Sequence, residues 1–259
     1  MSPIRFTLAL VRPPSPSVVD GLRAGDGPDP DFAAFAAEHD LYLSVLGAAG
    51  VHVEVMDALD QFPDAVFVED AALCIGSHAI VLRPGAPSRA GEADAIVADL
   101  EACFATVTRV TDGFVDGGDI LVTGTEIMVG LSERTDRAGV AALADAVAPT
   151  GLPVRIVETP PGVLHFKTDC AIVDDTTIFS TARLAASGCF DGYDVLICPD
   201  GEEAAANLIR VNDLILMRTG FPRTHALLTD AGYQVVAVQA DEAARIDGGL
   251  SCMSLRCNP

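Results

Sequence analysis

The chain has 259 residues, half of them hydrophobic and a fifth charged, with 37 acids against 16 bases and a net charge of −21. This composition supplies a packed core and excludes disorder; with Lys167 the one lysine and no Lys/Arg cluster, it also excludes a nucleic-acid phosphate binder. No apolar run approaches the ~18 residues that a bilayer span needs, and the seven scattered cysteines, without a CxxC pair, fit neither a secreted disulfide framework nor a zinc knuckle. No basic lead and apolar run of a signal peptide opens the sequence, so a soluble cytoplasmic protein is expected.

In chain order, the pattern predicts a strand at residues 4–11, a helix at 31–47 and a strand at 51–56. Four β-rich segments follow, opening at Val66, Phe114, Val163 and Ala206, at intervals of 48, 49 and 43 residues. Each reads as two strands joined by a tight turn, such as Asp174-Asp175 or Asn212-Asp213. Helices are expected after them at 88–103, 134–148, 182–187 and 222–231, the third being short. Strands at 106–110, 153–157, 194–198 and 233–238 close the units. Residues 249–256 supply a first strand for a fifth unit that the N-terminal elements complete. A repeat of this length is one supersecondary unit. Five ββαβ units, one split between the two ends, favour a closed ring over a three-layer α/β sandwich, because closure removes exposed strand edges. No linker-like run interrupts the chain, so residues 1–259 are expected to form one domain.

In such a ring, equivalent positions converge on one axis. The residues opening each unit's first strand are Asp64, Glu69 and Asp70, then Asp116 and Asp119, His165, Asn207, and Ser251-Cys252. One thiol, one imidazole and several carboxylates thus share an offset in otherwise apolar strands. Cys252 follows the pair Gly248-Gly249, which permits close approach of a ligand. A thiol attacks only as thiolate and needs a neighbouring cation or base; His165 fits that need as half of a Cys–His couple. The bland reading of a buried, inert cysteine suits Cys74, Cys103, Cys170 and Cys198 instead. Acids gathered in one pocket repel unless a cation neutralises them. A guanidinium, planar and always charged, meets that requirement. A solvated turn is the competing account of the acids, and it suits Asp64, after Pro63, better than Glu69-Asp70. Arg89 and Arg134, each near the start of an expected helix, would stand at one rim and clamp a carboxylate; surface ion pairs are the alternative.

The segments FPDAVFVED, LRPGAPSRAGEAD, VDGGDILVTG, VGLSERT, VLHFKT and IDGGLSCMSLR, in that order, strongly resemble the dimethylarginine dimethylaminohydrolases, and the likeness runs from about residue 11 to residue 256. Shorter pieces such as GGD occur across the wider guanidine-modifying (pentein) superfamily. The resemblance implies the α/β class with a five-bladed ββαβ propeller closed by N- and C-terminal strands. It implies Cys252 as nucleophile, His165 as general acid/base, and Asp116 with Asp70 holding a guanidinium that Glu69 contacts or orients. Arg89 and Arg134 would take the substrate α-carboxylate, Asp64 and the backbone of Leu22 the α-amine, and Ile246 would line the pocket. Residues 23–31 would be a mobile lid. The implied reaction turns Nω-methylated arginine into citrulline and an alkylamine, with no metal or cofactor, in a monomer or homodimer. An arginine deiminase and a non-catalytic propeller are the rivals; the chain looks too short for the helical insertion of the deiminases.

Overall fold

Four times along the chain a tight hairpin is followed by helical structure and by a strand that returns parallel to the hairpin's second strand. The computed structural model describes residues 2–259. Its elements are β1 (Leu8–Val11), α1 (Phe32–Ala48), β2 (His52–Val55), β3 (Ala72–Ile75), β4 (His78–Val81), α2 (Glu92–Ala95), α3 (Val97–Cys103) and β5 (Thr106–Arg109). Next come β6 (Ile120–Val122), β7 (Ile127–Leu131), α4 (Arg137–Val147), β8 (Val154–Glu158), β9 (Cys170–Ile172), β10 (Thr177–Ser180), α5 (Ala182–Ala185) and β11 (Asp194–Ile197). The remainder is β12 (Ile209–Val211), β13 (Leu214–Arg218), α6 (Pro222–Asp230), β14 (Gln234–Val238), α7 (Asp241–Ala244) and β15 (Leu255–Cys257).

The strands form five three-stranded sheets among the described residues, in the orders β15-β1-β2, β3-β4-β5, β6-β7-β8, β9-β10-β11 and β12-β13-β14. The first pair in each is antiparallel and the second parallel, for example Leu73↔Ile80 and Ile80↔Thr108. A parallel pair needs a crossover, which the helical segment provides. In the sheet shared by both ends of the chain, Leu8 faces Cys257 and Leu10 faces Leu255. Separate small sheets replace the single extended sheet of a three-layer sandwich. Asn212 takes φ 54 in the β12–β13 turn, a conformation that asparagine tolerates.

Each apolar cluster joins one sheet to another. Phe35, Tyr42 and Leu46 of α1 pack with Ala9 and Val11 of β1 and with Val211 and Leu216 of the β12–β14 sheet. Leu10 and Leu255 meet Ala72 and Val81; Ile80 meets Ile120, Ile127 and Val129; Met128 meets Cys170 and Ile178; Phe179 meets Ile215 and Met217. Burying one such side chain contributes about 1.5–3 kcal/mol. The inner strands β3, β6, β9, β12 and β15 together line one cavity of about 130 Å³, through residues such as Leu73, Leu121, Ala171, Ile209 and Leu255.

Three expectations about elements are corrected. The strand expected at 4–11 begins only at Leu8, because Phe6 exchanges its backbone bonds with the Asn212 amide, Nδ2 donating to Phe6 O at 3.1 Å and Oδ1 accepting from Phe6 N at 2.9 Å. The helix expected at 88–103 is broken into a 3₁₀ turn, Pro87–Arg89, and two short helices, since Arg89 folds inward to reach buried acids. The first strands start later than expected, and the polar residues assigned to their openings lie in tight turns before them.

Candidate active site

Those turns are the site's scaffold. Residues Val68–Ala71, Gly117–Asp119, Phe166–Thr168 and Glu203–Ala206 are 3₁₀ turns, and Cys252 lies in a turn that precedes β15. A turn shows backbone N–H groups to its neighbours, and here the neighbours' side-chain oxygens accept them. Asp70 Oδ1 accepts Gly118 N at 2.9 Å, Asp119 Oδ1 accepts Phe166 N at 2.8 Å, and Asn207 Oδ1 accepts Ser251 N at 3.1 Å. Glu69 N donates to Cys252 O at 3.1 Å. Side chains therefore tie three of the junctions between successive units, and a backbone bond ties a fourth.

His165 and Asp116 form its centre. Asp116 is fully buried; Oδ2 lies 3.1 Å from His165 Nε2 and Oδ1 accepts Gly85 N at 2.7 Å. Burial alone would lower the His165 pKa, but the Asp116 hydrogen bond and the charges of Asp70 and Asp119 outweigh it and raise it to about 9. At neutral pH the ring is therefore an imidazolium. Close approach is possible because residue 118 is glycine: a Cβ there would sit 2.8 Å from His165 Nδ1 and 3.1 Å from Asp70 Oδ1. Asp70, Asp116 and His165 each place a polar atom within 4.8 Å of the others.

Cys252 is half-buried, with Ser251 Oγ 3.9 Å from its sulfur. Burial pushes the thiol up to about 11, helped by the negative charges of Glu69 and Asp70, while Lys167 acts the other way. The unliganded protein therefore holds Cys252 as a neutral thiol and His165 as an imidazolium. Asp70 stays ionised: burial opposes its charge, but Arg89, His165 and Gly118 N hold it below the usual carboxylate range.

The expected rim position of Arg89 is corrected. The side chain is buried, and its guanidinium pairs with Asp70 Oδ2 through Nη1, with both Glu92 oxygens, and with Phe67 O at 2.8 Å. Asp64, Asp70 and Glu92 are all nearly excluded from water, and buried acids need an internal counter-ion. Glu92 is still pushed up to about 7 by burial. Arg134 lies in the loop before α4 instead of on the helix, is half-buried, and has no ion pair or side-chain hydrogen bond among the described residues. Its charge favours ionised Asp64, although burial still raises that carboxyl.

Asp64, Leu22 and Ile246 do converge: Asp64 Oδ1 accepts Leu22 N at 2.9 Å, and a Cβ on Gly21 would lie 2.9 Å from Ile246 Cδ1 and 3.3 Å from Asp64 Oδ1. The segment after Leu22 is an exposed loop fastened by Ala24 N to Asp247 Oδ2 at 2.6 Å and by Arg245 to Asp29 O at 2.9 Å. Glu69 is buried, paired with Lys167 at 2.6 Å and with Arg256 at 3.2 Å, and its Oε2 has no partner.

Sequence reasoning missed several participants. Gly85 gives Asp116 a hydrogen bond; Glu92 completes the Arg89 cluster; Lys167 and Arg256 neutralise Glu69. A lone lysine in so acidic a chain, two residues from His165, was the available signal.

Comparison with known proteins agrees with this fold. Residues 32–180 match the family model described as N,N dimethylarginine dimethylhydrolase, eukaryotic. The N(G),N(G)-dimethylarginine dimethylaminohydrolase of Pseudomonas aeruginosa is 34% identical over 253 residues, covering 97% of this chain and 99% of that protein. The enzyme of the same name from Streptomyces coelicolor is 34% identical, with 96% of both chains covered. A solved structure of a mutant of the Pseudomonas protein complexed with citrulline superposes with a TM-score of 0.94, at 34% identity and 97% and 99% coverage. The N-terminal domain of ArgZ, an arginine dihydrolase, shares the fold at 19% identity with a TM-score of 0.84, covering 96% of both chains. Fold and sequence likeness thus place the protein in the guanidine-modifying class of α/β proteins. The chain belongs to the dimethylarginine dimethylaminohydrolase family.

Proposed function

We propose that the protein is a cysteine hydrolase of linear amidines, converting Nω-methylated arginine to citrulline and an alkylamine. The observation that carries this is the buried Asp116–His165 pair beside ionised Asp70, in a turn cluster that also holds Cys252. Substrate guanidinium seats against Asp70 and Asp116, with Glu69 orienting that end. Its charge offsets the acids that hold the thiol proton, so Cys252 ionises when substrate arrives. The thiolate forms a C–S bond to the guanidinium carbon; the C–N bond to the alkylamine then breaks as protonated His165 gives that nitrogen its proton. Neutral His165 next takes a proton from water, which attacks the S-alkylthiouronium carbon. The C–S bond breaks, returning thiolate and releasing citrulline. Such proton transfers contribute about 10²–10⁴-fold in rate.

Arg134 takes the substrate α-carboxylate, while Asp64 and the Leu22 backbone meet the α-amine beside Ile246. Arg89 acts from beneath, holding Asp70 ionised, and contacts the α-carboxylate only by turning from Glu92. The whole of 1–259 forms one domain, in which the cyclic sequence of apolar clusters and the cavity lined by all five inner strands support closure into a five-bladed propeller. A cytoplasmic monomer or homodimer fits a chain whose described residues include no helix long and apolar enough to cross a membrane. Citrulline release from asymmetric dimethylarginine, monomethylarginine and arginine, measured side by side, tests the function. Methylated substrates should turn over fastest and Cys252→Ser should abolish turnover; fastest turnover of plain arginine would favour a deiminase.

A further inference from the structure

The backbone of the Cys252 turn is held by groups on α1, on β15 and in the Val68–Ala71 turn. Tyr42, fully buried on α1, donates from its hydroxyl to Leu250 O at 3.1 Å and shares a 2.6 Å hydrogen bond with Ser254 Oγ. Arg256 Nη1 donates to Ser251 O at 3.1 Å, Ser254 O at 3.0 Å and Ser254 Oγ at 2.8 Å. Its Nη2 reaches Glu69 Oε1 at 3.2 Å, and Glu69 N returns to Cys252 O at 3.1 Å. The carbonyls of Leu250, Ser251, Cys252 and Ser254 therefore each have a donor from outside the turn or from its flanking strand. Ser254 Oγ, fully buried, links Tyr42 to Arg256.

We infer that Tyr42, Ser254 and Arg256 are positioning residues, a connected network that fixes the Cys252 turn and locks it to the Glu69-Asp70 turn. This rests on the reading of Cys252 as the nucleophile. A largely buried hydrogen-bonded network favours one arrangement of its members. Loss of one link leaves a buried group unpaired and lets the turn relax, and a displacement of about 1 Å at a reacting atom costs about 10²-fold in rate. Tyr42, Ser254 and Arg256 make no hydrogen bond to Asp116 or His165 among the described residues, so their loss moves kcat and leaves substrate affinity largely intact.

The test compares Tyr42→Phe, Ser254→Ala, Arg256→Lys, Arg256→Met and the double variant Tyr42→Phe/Ser254→Ala in steady-state turnover of asymmetric dimethylarginine. It also measures the rate at which 2-chloroacetamidine alkylates Cys252. Each hydroxyl variant should lose about 10- to 100-fold in kcat, with KM within about threefold and alkylation slowed in proportion. The double variant should be little worse than either single one, because the hydroxyls share one chain of bonds. Arg256→Lys should recover part of what Arg256→Met loses. If Arg256→Met does not fold, the two hydroxyl variants decide the matter. Folded Tyr42→Phe and Ser254→Ala with kcat and alkylation within about twofold of the parent, while Cys252→Ser is inactive, would overturn the network. An active Cys252→Ser would instead remove the nucleophile assignment itself.

Discussion

A positively charged electrophile should find Cys252 far more reactive than a neutral one of the same shape. Without ligand, burial and the charges of Glu69 and Asp70 hold the thiol at about 11, so thiolate is scarce at neutral pH. A cation docked against Asp70 opposes both charges. At ~4 Å and an effective dielectric of ~20, one unit charge favours thiolate by about 4 kcal/mol, which is about a 10³-fold larger thiolate fraction. The assay pairs 2-chloroacetamidine with neutral 2-chloroacetamide, each inactivation rate being divided by the reagent's rate on a free low-molecular-weight thiol. Measured from about pH 6 to pH 10, the normalised preference for the cation should approach ~10³ near neutrality. It should shrink by at least about tenfold in Asp70→Asn, which removes the docking charge. A preference within about tenfold of unity in the parent, or one that Asp70→Asn leaves unchanged, would refute the electrostatic account of thiol activation.

Gly118→Ala should keep the fold but lose activity by about 10²-fold or more, since the new methyl meets the His165 ring and Asp70 at contact distances that neither can yield; circular dichroism alongside kcat checks this. Arg89→Met should destabilise the protein by about 3–5 kcal/mol in urea titration, because Asp64, Asp70 and Glu92 lose their shared buried cation. For His165 the folded pKa of about 9 lies above the ordinary 6.5. Its stabilisation, of order 3 kcal/mol, is therefore fully present below about pH 6.5 and disappears as pH rises through about 9. His165→Gln should flatten that part of a plot of Tm against pH, and an unchanged slope would contradict the assignment.

The sequence made the repeat legible because β-branched runs and turn residues recur at nearly constant spacing, and all four predicted hairpins are present. It could not show where those hairpins begin. Asp70, Asp116 and His165 sit in runs with valine and phenylalanine, which read as strand, yet Asp70 and Asp116 accept backbone N–H groups of other units, His165 bonds the Asp116 carboxylate, and their segments form 3₁₀ turns. Cys252 and His165 were identified from their offset in the repeat and from the family resemblance. Arg89 was misplaced for a physical reason: an arginine at a helix start looks exposed unless one knows that Asp64, Asp70 and Glu92 will surround it. That encirclement is tertiary, and no local pattern encodes it. The same holds for Tyr42, some two hundred residues before the turn it supports.

The pairing of β1 with β15 sets the timing of the protein's birth. Leu8 must wait for Cys257 before its antiparallel partner exists, a separation of almost the entire polypeptide. During synthesis the four intermediate units can condense as they emerge, but the sheet that carries the sulfur has an unsatisfied edge until the closing strand leaves the ribosome. Such a late, distant contact is entropically slow to make. Cys252, in the turn just before β15, therefore gains its sheet support only when two strands from opposite ends of the fold have met.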